Sequence, residues 1–245
     1  RVLFRSMIMF RKIRGKHLYI VISFGIGIIF AIVGLCLKRN QTALSIYKIY
    51  ENIYGELILI GFLIPIFLAN TLKKEKEMER TIMILAFLSK QKWCKMMIRK
   101  MSEWSFFFTI SIQWPLIFSN VFCNMISSKR IEKWEIIYAF LTWILSFIMF
   151  LTISLITILI KMKLNSEVGA FLGVIILLFS PEFCQKILQI PVIGSFSQLF
   201  LSSYLFYGNY WIWQKQVMVI LILIGILLFA IQAVMDMTEK RDYFL

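Results

Sequence analysis

Apolar residues in this chain gather into long runs separated by short charged segments, with no sustained alternation of the kind a half-buried strand shows. Several runs approach the roughly 20 residues that a helix needs to cross about 30 Å of hydrocarbon. The pattern predicts six crossings, at residues 18–37, 57–72, 104–126, 136–160, 168–180 and 217–235. The second is short and interrupted by Pro65, the third contains Pro115, and the fifth is expected to stop before Pro181 and Glu182. Prolines are tolerated in such helices because neighbouring groups satisfy the carbonyls they free. The first run follows a basic stretch, as a signal sequence does. It lacks a small-x-small cleavage pattern and further runs follow it, so a retained helix is expected. The fold class is an all-α polytopic membrane protein with six transmembrane helices, one transmembrane domain over residues 1–245.

The connecting segments have patterns of their own. At 100° per residue, Arg1, Arg5, Lys12 and Lys16 fall on one side of a helix and Leu3, Met7 and Phe10 on the other. This predicts an N-terminal interfacial amphipathic helix over residues 1–17. Residues 181–216 mix apolar, aromatic and small side chains, and a structureless loop of that length is unusual. Short outer helices are expected there, with Tyr204, Phe206, Tyr207, Tyr210, Trp211 and Trp213 either in an aromatic belt or in contact with a substrate. Residues 73–103 are the most distinctive. They hold nine of the 27 Lys and Arg residues, and their apolar core at 82–88 is too short to span a bilayer. Two helical pieces fit: one over 75–88, and one that starts after Ser89 as N-cap and continues into the third crossing. In the second piece Lys92, Lys95 and Arg99 share one face, while Trp93, Met97 and Lys100 share another.

Composition changes this picture little. The chain is 60% hydrophobic and 16% charged, with a mean hydropathy of +0.81, which leaves no room for a sizeable soluble domain. Its net charge of +14 is explained by loops that set orientation and meet anionic lipid, and nucleic-acid binding is not expected. Segments 1–17, 73–103, 161–167 and 236–245 carry 19 of the 27 Lys and Arg, so both termini and the basic 73–103 segment are predicted to be cytoplasmic.

Candidate chemistry is sparse. There is no GxxxxGK[ST] loop, and the one histidine, His17, sits at the end of a crossing with no HExxH. Cys36, Cys94, Cys123 and Cys184 show no metal spacing and read as isolated thiols, with an outer-face disulfide among Cys36, Cys123 and Cys184 as the alternative. Glu75, Glu77 and Glu79 alternate with Lys and Met and read as helix salt-bridge chemistry, not a catalytic pair. Glu56, Glu103, Glu182 and Asp236 sit near the ends of the crossings, and only Gln113 is polar near a centre. That argues against a proton path or channel and for an energy source outside the chain. No cofactor, no metal and no enzymatic activity are expected.

The 73–103 segment resembles the corresponding segment of ABC-2 type permease subunits. That family carries, between its second and third helices, a Glu, a Gly-Thr pair, a short apolar run, a Ser, basic residues and a closing Lys. Here the stretch is Glu79-Arg80-Thr81, then 82–88, Ser89, Lys90, Lys92 and Lys100, with Arg80 where the family has Gly and Lys90 where it usually has Pro. Size and isoleucine-rich character are also similar to lantibiotic immunity permeases of Gram-positive bacteria. The resemblance implies a cytoplasmic coupling helix between helices 2 and 3, with Glu75, Glu79, Arg80, Thr81, Ser89 and Lys90 at an ATPase contact. Lys92, Lys95, Arg99 and Lys100 would steady the elbow at the membrane. It also implies four partners: an ABC ATPase subunit, a second permease subunit as homo- or heterodimer, the lipid bilayer, and a hydrophobic or cationic peptide as cargo. The location would be the bacterial cell membrane. A non-transporting membrane scaffold or sensor subunit is the alternative reading.

Overall fold

The computed structural model describes residues 59–84, 89–126, 133–186, 206–207, 210–211 and 213–240, together with Gly25 and Ile28. Within them a π-turn, Leu59–Leu63, leads into α1 (Ile64–Ile84), followed by α2 (Lys90–Ile126), α3 (Lys133–Leu164), α4 (Glu167–Lys186) and α5 (Trp213–Lys240). A two-residue antiparallel ladder, β1 (Phe206–Tyr207) on β2 (Tyr210–Trp211), precedes α5. The expected interfacial helix at 1–17, the first crossing at 18–37 apart from Gly25 and Ile28, and residues 187–205 lie outside the described residues. Among the described residues two helices are long and apolar enough to cross a membrane, Ile136–Leu164 and Ile220–Lys240, and Glu167–Ser180 forms a shorter apolar stretch.

Three expectations are corrected by local physics. The second run stays helical through Pro65: the π-turn Leu59–Leu63 passes directly into α1 at Ile64, so the proline sits at the change from π to α winding. The helical piece expected at 75–88 is not separate either. Between Pro65 and Ser89 there is no Pro or Gly, and the Lys- and Glu-rich stretch favours helix, so α1 runs unbroken to Ile84. The fifth run does not stop at Pro181: α4 continues to Lys186. Proline deprives the Leu177 carbonyl of its usual donor four residues on, and the Ser180 hydroxyl donates to that carbonyl instead, at 2.9 Å. Within the outer segment expected at 181–216, the described residues are the end of α4 to Lys186, a β-ladder at 206–207 and 210–211, and the start of α5 at Trp213. Aromatic pairs flank Gly208-Asn209, a two-residue sequence typical of hairpins.

Two boundaries follow the sequence closely. Ser89 caps α2: its hydroxyl accepts from the Lys92 amide at 3.4 Å and its carbonyl from the Trp93 amide at 3.1 Å. The reversal between α3 and α4 needs one left-handed residue, Asn165 (φ 50°), and Ser166 then caps α4 by accepting from the Gly169 amide at 3.0 Å.

Helix α3 is the centre of the bundle and packs against α1, α2, α4 and α5. Its apolar window is 61% buried, against 17% for that of α5, which lies at the edge. Phe67 of α1, Trp104 and Phe108 of α2 and Phe150 of α3 form an aromatic core, with the Phe67 ring 4.8 Å from Phe150 and 5.0 Å from Phe108. Hydroxyls in the interior, such as Thr71, Thr109, Thr142 and Thr157, donate to carbonyls four residues back, so they are buried without needing water. The outer faces carry exposed large apolar residues, among them Phe107, Trp114 and Phe118 on α2, Ile176 on α4, and Leu221 and Phe229 on α5. A surface this apolar is suited to lipid or to another protein.

Candidate functional site at the polar end of the bundle

Charged side chains converge on one end of the bundle. The C-terminal half of α1, the start of α2, the end of α3, the start of α4 and the end of α5 all meet there. Lys76 of α1 pairs with Glu167 of α4 at 3.1 Å, and Lys90 of α2 donates to the Glu239 carbonyl of α5 at 2.9 Å. Gln91 donates to the Glu239 carboxylate at 3.2 Å. Segments 73–103, 161–167 and 236–240, separated in sequence but grouped by charge, are thus neighbours in space.

The central contact is an ion cluster between α1 and α3. Lys161 Nζ donates to Glu75 Oε2 and to Glu79 Oε2, the latter at 3.1 Å. Glu75 is completely buried and Lys161 nearly so, while Glu79 is partly exposed. Glu75 and Glu79 lie one turn apart on a single face of α1, so each repels the other, and the Lys161 ammonium bonds both. Lys161 occupies the last turn of α3, where the helix dipole also favours a cation. Charges removed from water in this way are kept only by close pairing.

Under this cluster lies a methionine-rich core. Met78 of α1, Met97 and Met101 of α2 and Met162 of α3 are buried together with Trp93, Cys94, Ala230 and Val234. The long, unbranched Met side chain fills irregular gaps and adapts when neighbours shift. Burial pushes the Cys94 thiol above its ordinary pKa, with a hydrogen bond to Thr238 acting the other way. Lys74 lies over the Trp104 ring, 4.5 Å from its centroid.

The predicted site residues divide into two sets. Glu75 and Glu79 are brought together on Lys161; Glu75 points into the bundle and is closed to a docking partner. Arg80 and Thr81 follow in the last turns of α1, and Ser89 and Lys90 open α2 beside Glu239. Lys92, Lys95 and Arg99 are exposed on one face, with Trp93 and Met97 buried on the other. Lys100 does not join that buried face. It is exposed and pairs with Glu103 at 2.8 Å, while Arg99 pairs with the same carboxylate at 3.2 Å. The Lys100 hydrogen bond is the main cause of the Glu103 carboxyl falling below its ordinary pKa. Sequence reasoning missed Lys161 and Glu239. The available signal for Lys161 was its position, the first cation after a long apolar run and in phase with Ser154 and Ile158.

Among the described residues no group of three or more His, Cys, Asp or Glu side chains could hold a metal ion. The arrangement ties the polar ends of the five helices to one another, α1 to α3 and α4 by charge and α2 to α5 by hydrogen bonds. Comparison with protein-family models, with curated proteins and with solved structures gives no match.

Proposed function

We propose that this chain is the permease subunit of an ABC-2 type exporter, driven by a separate ATPase subunit and completed by a second permease subunit. One observation carries the reading. Helix α2 is continuous over 37 residues. At about 1.5 Å per residue it is about 55 Å long, well over the roughly 30 Å of hydrocarbon. Its first turns, and the polar half of α1 that leads to them, therefore project from the membrane as stiff extensions of spanning helices. The two extensions end at Ile84 of α1 and Lys90 of α2, close together in sequence, and in this reading those ends form the tip. A partner that grips this tip moves two helices at once, a rigid-body input of the kind that drives transport cycles.

In this reading the runs at 18–37, 57–72, 104–126 and 168–180 add four crossings to the two helices already long and apolar enough. The polar end faces the cytoplasm with both termini, and the protein resides in a bacterial cell membrane. Arg80, Thr81, Ser89 and Lys90 are the direct docking residues, whereas Glu75 acts through Lys161. Exposed Lys92, Lys95, Arg99 and Lys100 meet anionic headgroups. The apolar outer faces suit a hydrophobic or cationic amphipathic peptide, a lantibiotic in self-immunity, better than a small polar solute.

Deleting the gene in its host and challenging with a panel of amphipathic antimicrobial peptides tests the cargo. The deletion strain becomes sensitised to at least one lantibiotic-type peptide, and the intact gene restores protection. Unchanged sensitivity across the panel would sink the export reading and favour a scaffold or sensor subunit.

A further inference from the structure

We infer that the outward face of α2, with the α3 aromatics beside it, binds one anionic phospholipid from the leaflet at the polar end. Its phosphate lies on Lys95 and Arg99, and its acyl chains lie on Phe106 and Phe107. The site requires α2 to span the membrane with its first turns at the surface, and to that extent it rests on the function proposed above.

One line of residues changes character along α2. Lys95, Arg99, Ser102 and Phe106 succeed one another at i, i+4, i+7 and i+11, the spacing of a single helix face. Lys92, Lys95, Arg99 and Lys100 are exposed, and so are Phe106 and Phe107. Glu103 is the acidic residue on this part of the helix, and it pairs with Lys100 and Arg99. Four cations thus stand against one carboxylate, and neither Lys92 nor Lys95 has an acidic partner among the described residues.

Farther along, the same line becomes aromatic. The Phe106 ring meets Trp143 of α3 edge-on at 5.7 Å and Phe147 at 6.1 Å, and Phe107 lies 5.9 Å from it. Phe140 extends the row, 5.7 Å from Trp143. The rings make an apolar strip across the α2–α3 seam, with Phe106, Phe107 and Phe140 open to the outside. At about 1.5 Å per residue, Phe106 lies about 10 Å along the helix from Arg99. One leaflet contributes about 15 Å of hydrocarbon. Cations and rings are therefore spaced as the phosphate and the acyl chains of one phospholipid are.

Charge selects this occupant over the others. A cationic peptide is repelled by Lys92, Lys95 and Arg99. A second copy in the same membrane has the same orientation, so a two-fold contact through this face sets its cations against themselves. An anionic lipid meets opposite charge at one end and apolar rings at the other. The Arg99 guanidinium adds a planar fork suited to phosphate.

The test uses the full-length protein, stripped of lipid in mild detergent and titrated with phosphatidylglycerol or with phosphatidylcholine of the same chains. Native mass spectrometry counts the lipids bound. The first phosphatidylglycerol binds about 25-fold more tightly than the first phosphatidylcholine, roughly fivefold for each of two cations, and Lys95→Gln with Arg99→Gln removes the preference. Phe106→Ala with Phe107→Ala weakens both lipids by about fivefold or more, because apolar contact is lost without a change of charge. Glu103→Gln removes the competing carboxylate and tightens phosphatidylglycerol about fivefold. Lys76→Gln, on the α1–α4 side of the polar end, leaves both affinities unchanged. Equal affinity for the two lipids, or a preference that survives Lys95→Gln with Arg99→Gln, would overturn the inference. So would a dimer, or an added cationic amphipathic peptide, whose binding in the same spectra depends on Phe106 and Phe107. Should the double cation variant fail to fold, Glu103→Gln decides: an unchanged phosphatidylglycerol affinity there rejects the site.

Lipid preference is read on the isolated chain, so it is independent of the ATPase and of peptide protection. Preference without protection in the host supports the lipid site and rejects the export reading. Protection without preference keeps that reading and rejects the site.

Discussion

Replacing Phe67 by alanine tests whether the helices meet as described. The side chain is fully buried where α1, α2 and α3 converge, with ring centroids 4.8 Å from Phe150, 5.0 Å from Phe108 and 6.2 Å from Trp104. Inside a bilayer the usual gain from leaving water is absent, because lipid is as apolar as the core. What remains is the cavity and the lost ring contacts. Truncation vacates about 100 Å³, which at about 24 cal/mol per Å³ comes to about 2.4 kcal/mol. Ring pairs of this kind are worth about 0.5–1.5 kcal/mol each, and pairs that share one ring do not add fully, so a total near 3–4 kcal/mol is expected. The assay is reversible unfolding in bicelles by detergent titration or steric trapping. Phe107→Ala is the control: its ring is 53% exposed on the outer face of α2, and its loss should cost within about 0.5 kcal/mol. A Phe67→Ala penalty below about 1 kcal/mol, or one equal to that of Phe107→Ala, would refute the three-helix core.

Further expectations concern the helix seams and the polar end. A Cβ at Gly173 would sit 3.3 Å from Ile160 of α3, so Gly173→Leu should overpack the α3–α4 seam and cost about 1–3 kcal/mol in the same unfolding assay, whereas Gly225→Leu, which meets open space, should not. In a variant whose only cysteine is Cys94, maleimide at pH 8 should label the native protein far more slowly than the unfolded one, since burial both shields the thiol and raises its pKa; equal rates would contradict the buried placement. Glu103 has its folded pKa below the unfolded value, so its pairs with Lys100 and Arg99 contribute above the ordinary carboxylate range and are lost as pH falls through the folded pKa. Both partners are exposed, so the stability difference between wild type and Glu103→Gln should be only about 0.5 kcal/mol at pH 7 and should shrink as the pH falls below the ordinary carboxylate range. An undiminished difference at low pH would assign it to something other than charge.

The class of element was legible because apolar runs and charge clusters are local properties. Ser89 as a cap was legible for the same reason: a hydroxyl residue before a helical stretch acts on amides three and four positions away. Pro181 was misread because its rescue depends on one rotamer of the adjacent Ser180, which no propensity records. Lys100 was misassigned because its phase is near that of Trp93. The buried stripe, however, is centred on Cys94, Met97, Met101 and Trp104, which leaves Lys100 at the margin, where a long cationic side chain turns to water. Lys161 and Glu75 could not be matched at all. They stand 86 residues apart, and a single sequence contains no term that selects one cation for one carboxylate at that separation. Such a pairing exists only once α1 and α3 are packed.

The most direct measurement is to tag the chain in its native host, purify it in mild detergent and identify what accompanies it. The account predicts an ABC ATPase and a second permease subunit. It also predicts loss of the ATPase on Arg80→Glu or on deletion of residues 82–88, changes that leave Lys161, Glu75 and Glu79 untouched. Abundant recovery of the folded chain with no ATPase, or an ATPase that stays bound when residues 82–88 are gone, would contradict it.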